Sequence, residues 1–157
     1  MCFHNRICRN ANRGQSIVET AIALAILLPF VFWVFEMAML CYTISVIQYA
    51  SRVGVQYASV HGSDAPNCSG PLSTDVSNSP CTGSDPNGAL IAQVVVNVAA
   101  SSGHPMPESA VTVTWPKKDN SPGSPIWVSI NYTYTPWINL PFTTRAITGT
   151  ATGTIAY

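Results

Sequence analysis

The chain has 157 residues, room for one modest domain beside a membrane segment, and only 9% of them are charged against roughly 25% in an ordinary soluble domain. Its formal net charge of zero hides a division: Arg6, Arg9 and Arg13 precede Gln15, whereas all seven acidic residues follow it. Beyond residue 14 four basic residues face seven acids, a net charge of about −3, and a remainder so poor in cations excludes nucleic-acid binding.

Residues 1–14 read as a basic leader that ends in Gly14. A basic head before an apolar span stays in the cytoplasm, and the chain that follows is sent outside. Residues 15–62 then read as one long helix. Ala21 to Phe35 carries no charge, and no glycine intervenes between Gln15 and Gly54. The stop is Gly62-Ser63-Asp64-Ala65-Pro66, a C-terminal glycine with a proline four residues on. A helix of this length spans about 70 Å, more than twice the roughly 30 Å of membrane hydrocarbon. Its N-terminal half therefore crosses a membrane and the rest continues outside.

In that outer half Val46, Tyr49, Val53, Tyr57 and Val60 recur at spacings of three and four, with Gln48, Ser51, Arg52 and Gln56 between them. This is an amphipathic face that must cover something. Pro29 interrupts the apolar run and is read as a kink, which a membrane helix tolerates.

Residues 63–86 are rich in Ser, Pro, Asn, Asp and Gly, hence an exposed loop. Cys68 and Cys81 lie in it, and a disulfide between them closes a loop of about 13 residues, worth roughly 3 kcal/mol in the chain-entropy model. The exported position makes that pairing reasonable. Metal binding is the weaker reading, because no second Cys or His pair has ligand spacing. Cys2 and Cys8 fall in the leader and Cys41 near the membrane.

Residues 87–157 read as an α+β head. Asp85-Pro86-Asn87-Gly88 opens a helix of about residues 87–101, with Leu90, Val94 and Val98 as one ridge and Ile91, Val95 and Ala99 beside it. Gly103-His104-Pro105 ends it. Period-two alternation then predicts three antiparallel strands. Their inward faces are Val111, Val113 and Trp115; then Val128, Ile130, Tyr132 and Tyr134; then Ile147, Gly149, Ala151, Gly153 and Ile155. A small sheet packed on the second helix and on the outer half of the first satisfies all these faces.

The histidines, His4, His61 and His104, are scattered in loop-like contexts. No phosphate loop, nucleophile motif or metal-ligand spacing is present, so no enzyme activity and no cofactor are expected. Trp115, Trp127, Trp137 and Tyr134 are read as packing residues, with a ligand-binding aromatic patch as the alternative.

One charge remains to be explained. Glu19 sits near the start of the apolar helix, where a carboxylate is costly in a bilayer. Arg13-Gly14-Gln15-Ser16-Ile17-Val18-Glu19 before an apolar helix resembles the class III signal of type IV prepilins, in which a dedicated peptidase cuts after the Gly and Glu is residue five of the mature chain. The wider stretch adds Leu27-Leu28-Pro29, Phe35-Glu36 and Ala50-Ser51-Arg52-Val53-Gly54-Val55-Gln56-Tyr57-Ala58. It is similar to TadE-like proteins, the minor pseudopilins of tight-adherence (Flp-type) pilus systems. Thr20 departs from the aromatic often found after the Glu, and Gln15 from the Phe of ordinary type IV pilins.

The resemblance implies cleavage between Gly14 and Gln15 by a prepilin peptidase. It also implies assembly with other pilins and the pilus machinery through Glu19 and Glu36, a role in cell adhesion, and a single-pass place in the bacterial inner membrane with a periplasmic or surface head. Cleavage creates an α-amino group at Gln15, largely protonated at neutral pH. Glu19 lies one helical turn away on the same face, and the amine of a neighbouring subunit would offset its desolvation. The alternative is an uncleaved single-pass anchor that carries an extracytoplasmic ligand-binding module.

Overall fold

The structure, a computed structural model, describes residues 5–71, 85–136 and 144–156, with side chains from residue 14 onward. It divides into two units, Met1–Met39 and Leu40–Tyr157.

Helix α1 spans Asn5–Val60 and supplies all the regular structure of the first unit among the described residues. The sequence places the helix start at Gln15, after a separate leader. The backbone is instead already helical ten residues earlier. The reason is local: Asn5 to Arg13 contains no Pro or Gly, and a single Gly inside a helix costs only about 1 kcal/mol, so Gly14 does not break it. Nor does Pro29, which lies within α1.

Fourteen large apolar residues between Ile17 and Met37 are 47–70% exposed. Full burial of such a side chain is worth about 1.5–3 kcal/mol, so this surface represents tens of kcal/mol that water would oppose. The stretch Gly14–Val60 is long and apolar enough to cross a membrane.

The second unit holds the remainder of α1, helix α2 (Ala89–Ser101), a 3-10 turn (Glu108–Ala110) and strands β1 (Val111–Thr114), β2 (Pro125–Tyr134) and β3 (Arg145–Thr154). The strands form an antiparallel meander in the order β1-β2-β3. Val113 pairs with Val128, and Val128 pairs in turn with Ala151. This is the predicted α+β head, with its three strands and its second helix.

Helix α2 is held at both ends by the residues its sequence supplies. The Asp85 carboxylate accepts the backbone N–H groups of Ala89 and Leu90 at 2.9 and 2.8 Å, satisfying orphan donors of the first turn. At the other end Gly103 adopts φ +82°, and the N–H groups of Gly103 and His104 reach Ala100 O and Ala99 O. That is the paired-bond pattern in which a left-handed glycine ends a helix.

The core joins α1, α2 and the inner face of the sheet. Ile47, Ile91, Val95, Ile126, Val128 and Ile130 are fully buried. The alternation of β2 and β3 is as expected, with Ile147 and Ile155 inward and the threonines outward. The buried side of α1 is not as expected. Tyr49 and Val60 are exposed, and Val53 and Tyr57 are only half-buried. Of the expected face only Val46 is buried, in a stripe made of Thr43, Val46, Ile47, Ala50, Ser51, Gly54, Val55 and Ala58.

Close approach explains the correction. A Cβ on Gly54 would stand 2.6 Å from Val95 Cγ2, and one on Gly149 would stand 2.7 Å from Ile47 Cγ2. Helix and sheet meet where side chains are small, so bulk was the wrong guide to the interface. In α2 the Ile91–Val95–Ala99 ridge is buried, whereas Leu90 is exposed.

Candidate processing and assembly site

Gly14, Gln15, Val18, Glu19 and Ile22 line one shallow, open depression on α1. All five residues are exposed, and the Glu19 carboxylate stands on the helix surface. Thr20 donates its hydroxyl to Ser16 O at 2.8 Å, a local bond that uses its polar group within the helix. Residues 15 and 19 are one turn apart and share a face. The structure therefore brings together three of the residues singled out in the sequence: Gly14, Gln15 and Glu19.

Gly14 has no packing reason among the described residues. A Cβ placed there would meet nothing within 4 Å, and its φ is not positive. Gly54, Gly149 and Gly153 are the opposite case, each pressed against a side chain of the core.

Residues 14–56 match the family model described as TadE-like protein. The matched segment is TadE-like. The match falls on the stretch that carries the resemblance, inside the segment long and apolar enough to cross a membrane. The TadE-like segment begins at Gly14, takes in Glu19, Pro29 and Glu36, and ends within the outer part of α1. No curated protein and no solved structure was found to match the chain.

The remaining candidates lie apart from this depression. Glu36 is half-buried and Arg52 exposed on α1. Cys41 is a free, exposed thiol, whereas Cys68 is buried. Cys81, the partner expected for Cys68, lies outside the described residues, as do Trp137, His4 and the side chains of Cys2 and Cys8.

The loop around Cys68 is fastened to the β1–β2 link. The buried Asn120 donates from Nδ2 to Ser69 O at 2.7 Å, and its backbone O accepts from Ser63 N at 2.9 Å. The Asp119 carboxylate accepts from the hydroxyls of Ser121 and Ser124.

Two histidines have structural partners. The His61 ring stacks on Tyr57 with centroids 4.0 Å apart and bonds Tyr57 O through Nδ1. His104 holds Ser102 O through Nδ1 and Thr43 Oγ1 through Nε2, both at 3.0 Å, with Tyr42 and Tyr132 against its ring. Sequence reasoning missed this tie between the end of α2 and α1. Its one signal is Thr43, a polar residue on what becomes the buried side. No group of three or more His, Cys, Asp or Glu side chains able to hold a metal occurs among the described residues.

Of the aromatic residues in the head, Trp115 and Tyr134 are buried, whereas Trp127 is 51% exposed.

Proposed function

We propose that the chain is a minor pseudopilin of a tight-adherence pilus, a non-enzymatic assembly subunit anchored in the bacterial inner membrane by the first half of α1. A prepilin peptidase cuts it between Gly14 and Gln15 on the cytoplasmic side, and the head faces the periplasm or the cell surface. The observation that carries this reading is the coincidence of the TadE-like match, which starts at Gly14, with a glycine that packs against nothing described beside an exposed Glu19.

The cleaved chain begins with the α-amino group of Gln15. In a bundle of such helices Glu19 pairs with the Gln15 amine of a neighbour, which offsets the cost of a carboxylate in hydrocarbon and sets the stagger of the subunits. Glu36, 17 residues on and about 25 Å along the helix, makes a second polar contact with a partner pilin. Cys68 pairs with Cys81, an arrangement suited to an oxidising exterior.

The test is N-terminal sequencing of the protein from membranes of cells with and without their prepilin peptidase. A Gln15 start that depends on the peptidase is expected. A Met1 start in both strains overturns the reading and favours an uncleaved anchor.

A further inference from the structure

Among the described residues the outer face of the sheet is left uncovered. In register, Thr114, Trp127 and Thr152 form one row across the three strands, and Thr112, Ser129 and Thr150 form the next. Asn131 and Thr148 continue the face, with the Thr148 hydroxyl donating to Asn131 Oδ1 at 3.4 Å. None of these positions carries a charge, and all are exposed except the half-buried Ser129.

Trp127 is the exception to the pattern of small polar residues. The fold does not require it, since outward strand positions suit threonine equally well, as the neighbouring positions demonstrate. Its flanking threonines are too short to cover an indole, and it is 51% exposed at the middle strand of the sheet. A lone exposed apolar residue needs no explanation. An indole in the middle of an uncharged array of hydroxyls and an amide is a more specific combination. It offers an apolar ring face for stacking, hydroxyls that both donate and accept, and the two N–H donors of Asn131.

The chemistry of the partner follows. A nucleic acid, an anionic membrane or an acidic peptide would surrender hydration here without meeting an opposite charge. A protein partner would be expected at a face rich in aromatic residues, Met and Arg, whereas serine is depleted at interfaces and threonine is rare among hot spots. A neutral saccharide presents apolar C–H faces rimmed by hydroxyls, which is the complement of this surface. We propose that the outer face of the β1-β2-β3 sheet binds neutral saccharide chains, with Trp127 as the stacking platform and Asn131 with the flanking threonines as hydrogen-bonding groups. The proposal does not depend on the pilus reading, because it concerns the head alone.

The test uses the full chain in detergent or lipid nanodiscs, titrated calorimetrically with cellohexaose, chitohexaose and, as an anionic control, heparin. Binding of at least one neutral oligosaccharide is expected. It should weaken tenfold or more in Trp127→Ala and in Thr150→Glu, and stay within about threefold in Trp127→Phe, with the melting temperature of the head unchanged. Three results overturn the proposal: no binding of either neutral oligosaccharide at millimolar concentration, equal binding by wild type and Trp127→Ala, or a Trp127→Ala defect confined to self-association.

Discussion

The two parts of α1 are built to different rules. From Ala21 to Phe35 the helix is apolar on all sides, and its large side chains stand exposed. From Leu40 to Val60 it buries one stripe, with Ile47 and Val55 seated over the glycines of β3 and Gly54 against Val95 of α2. The first part is designed for a medium or for partner helices, and the second for the chain itself. Glycine marks the difference. Gly54 is needed because Val95 leaves no room for a Cβ, whereas Gly14 has open space around it among the described residues.

Substitutions can break this comparison, and the largest effect is expected at Ile47. It is fully buried over Gly149, so Ile47→Ala should destabilise the head by about 2–5 kcal/mol in denaturant unfolding followed by tryptophan fluorescence. Removing the proposed Cys68–Cys81 bridge by a double Cys→Ser change should cost about 3 kcal/mol in the same assay. Both cysteines fall in the single tryptic peptide 53–117, which in the oxidised protein should gain the mass of two hydrogens on reduction.

Gly54→Val forces bulk between α1 and α2 and should cost about 1–3 kcal/mol. Asp85→Ala removes the side chain that accepts two N–H groups at the start of α2 and should cost about 0.5–2 kcal/mol. At the other end of the scale, Leu27→Ala in the apolar part should leave the unfolding of the head within about 0.5 kcal/mol of wild type. A large effect there would mean that the two parts of the helix are not independent.

Much of the fold was legible in the sequence because both of its periods are strong. The alternation of Val, Ile and Thr placed the strands and correctly turned Ile147 and Ile155 inward. Asp85 and Gly103 bracketed α2 to within two residues of its observed start. The buried side of α1 was not legible from residue size, since Tyr49 and Val53 looked like core. The needed signal sat a hundred residues away, in the glycines of β3 that receive Ile47 and Val55. The helical backbone of residues 5–13 was equally hidden, because a basic leader and a helix are not alternatives and only the first has a charge signature. The candidate site was legible as a motif, since Gly14, Gln15 and Glu19 are contiguous on one helix face. The Thr43–His104 tie was not, because it joins residues 61 apart.

The account rests on Gly14 serving recognition by a peptidase and Gly54 serving the fold. The direct measurement is the intact mass and melting temperature of Gly14→Leu protein isolated from cells that contain the prepilin peptidase. The expected protein keeps residues 1–14 and melts with the wild-type head. A Gly14→Leu chain trimmed to Gln15 like wild type, or one whose head melts at a lower temperature, would contradict it.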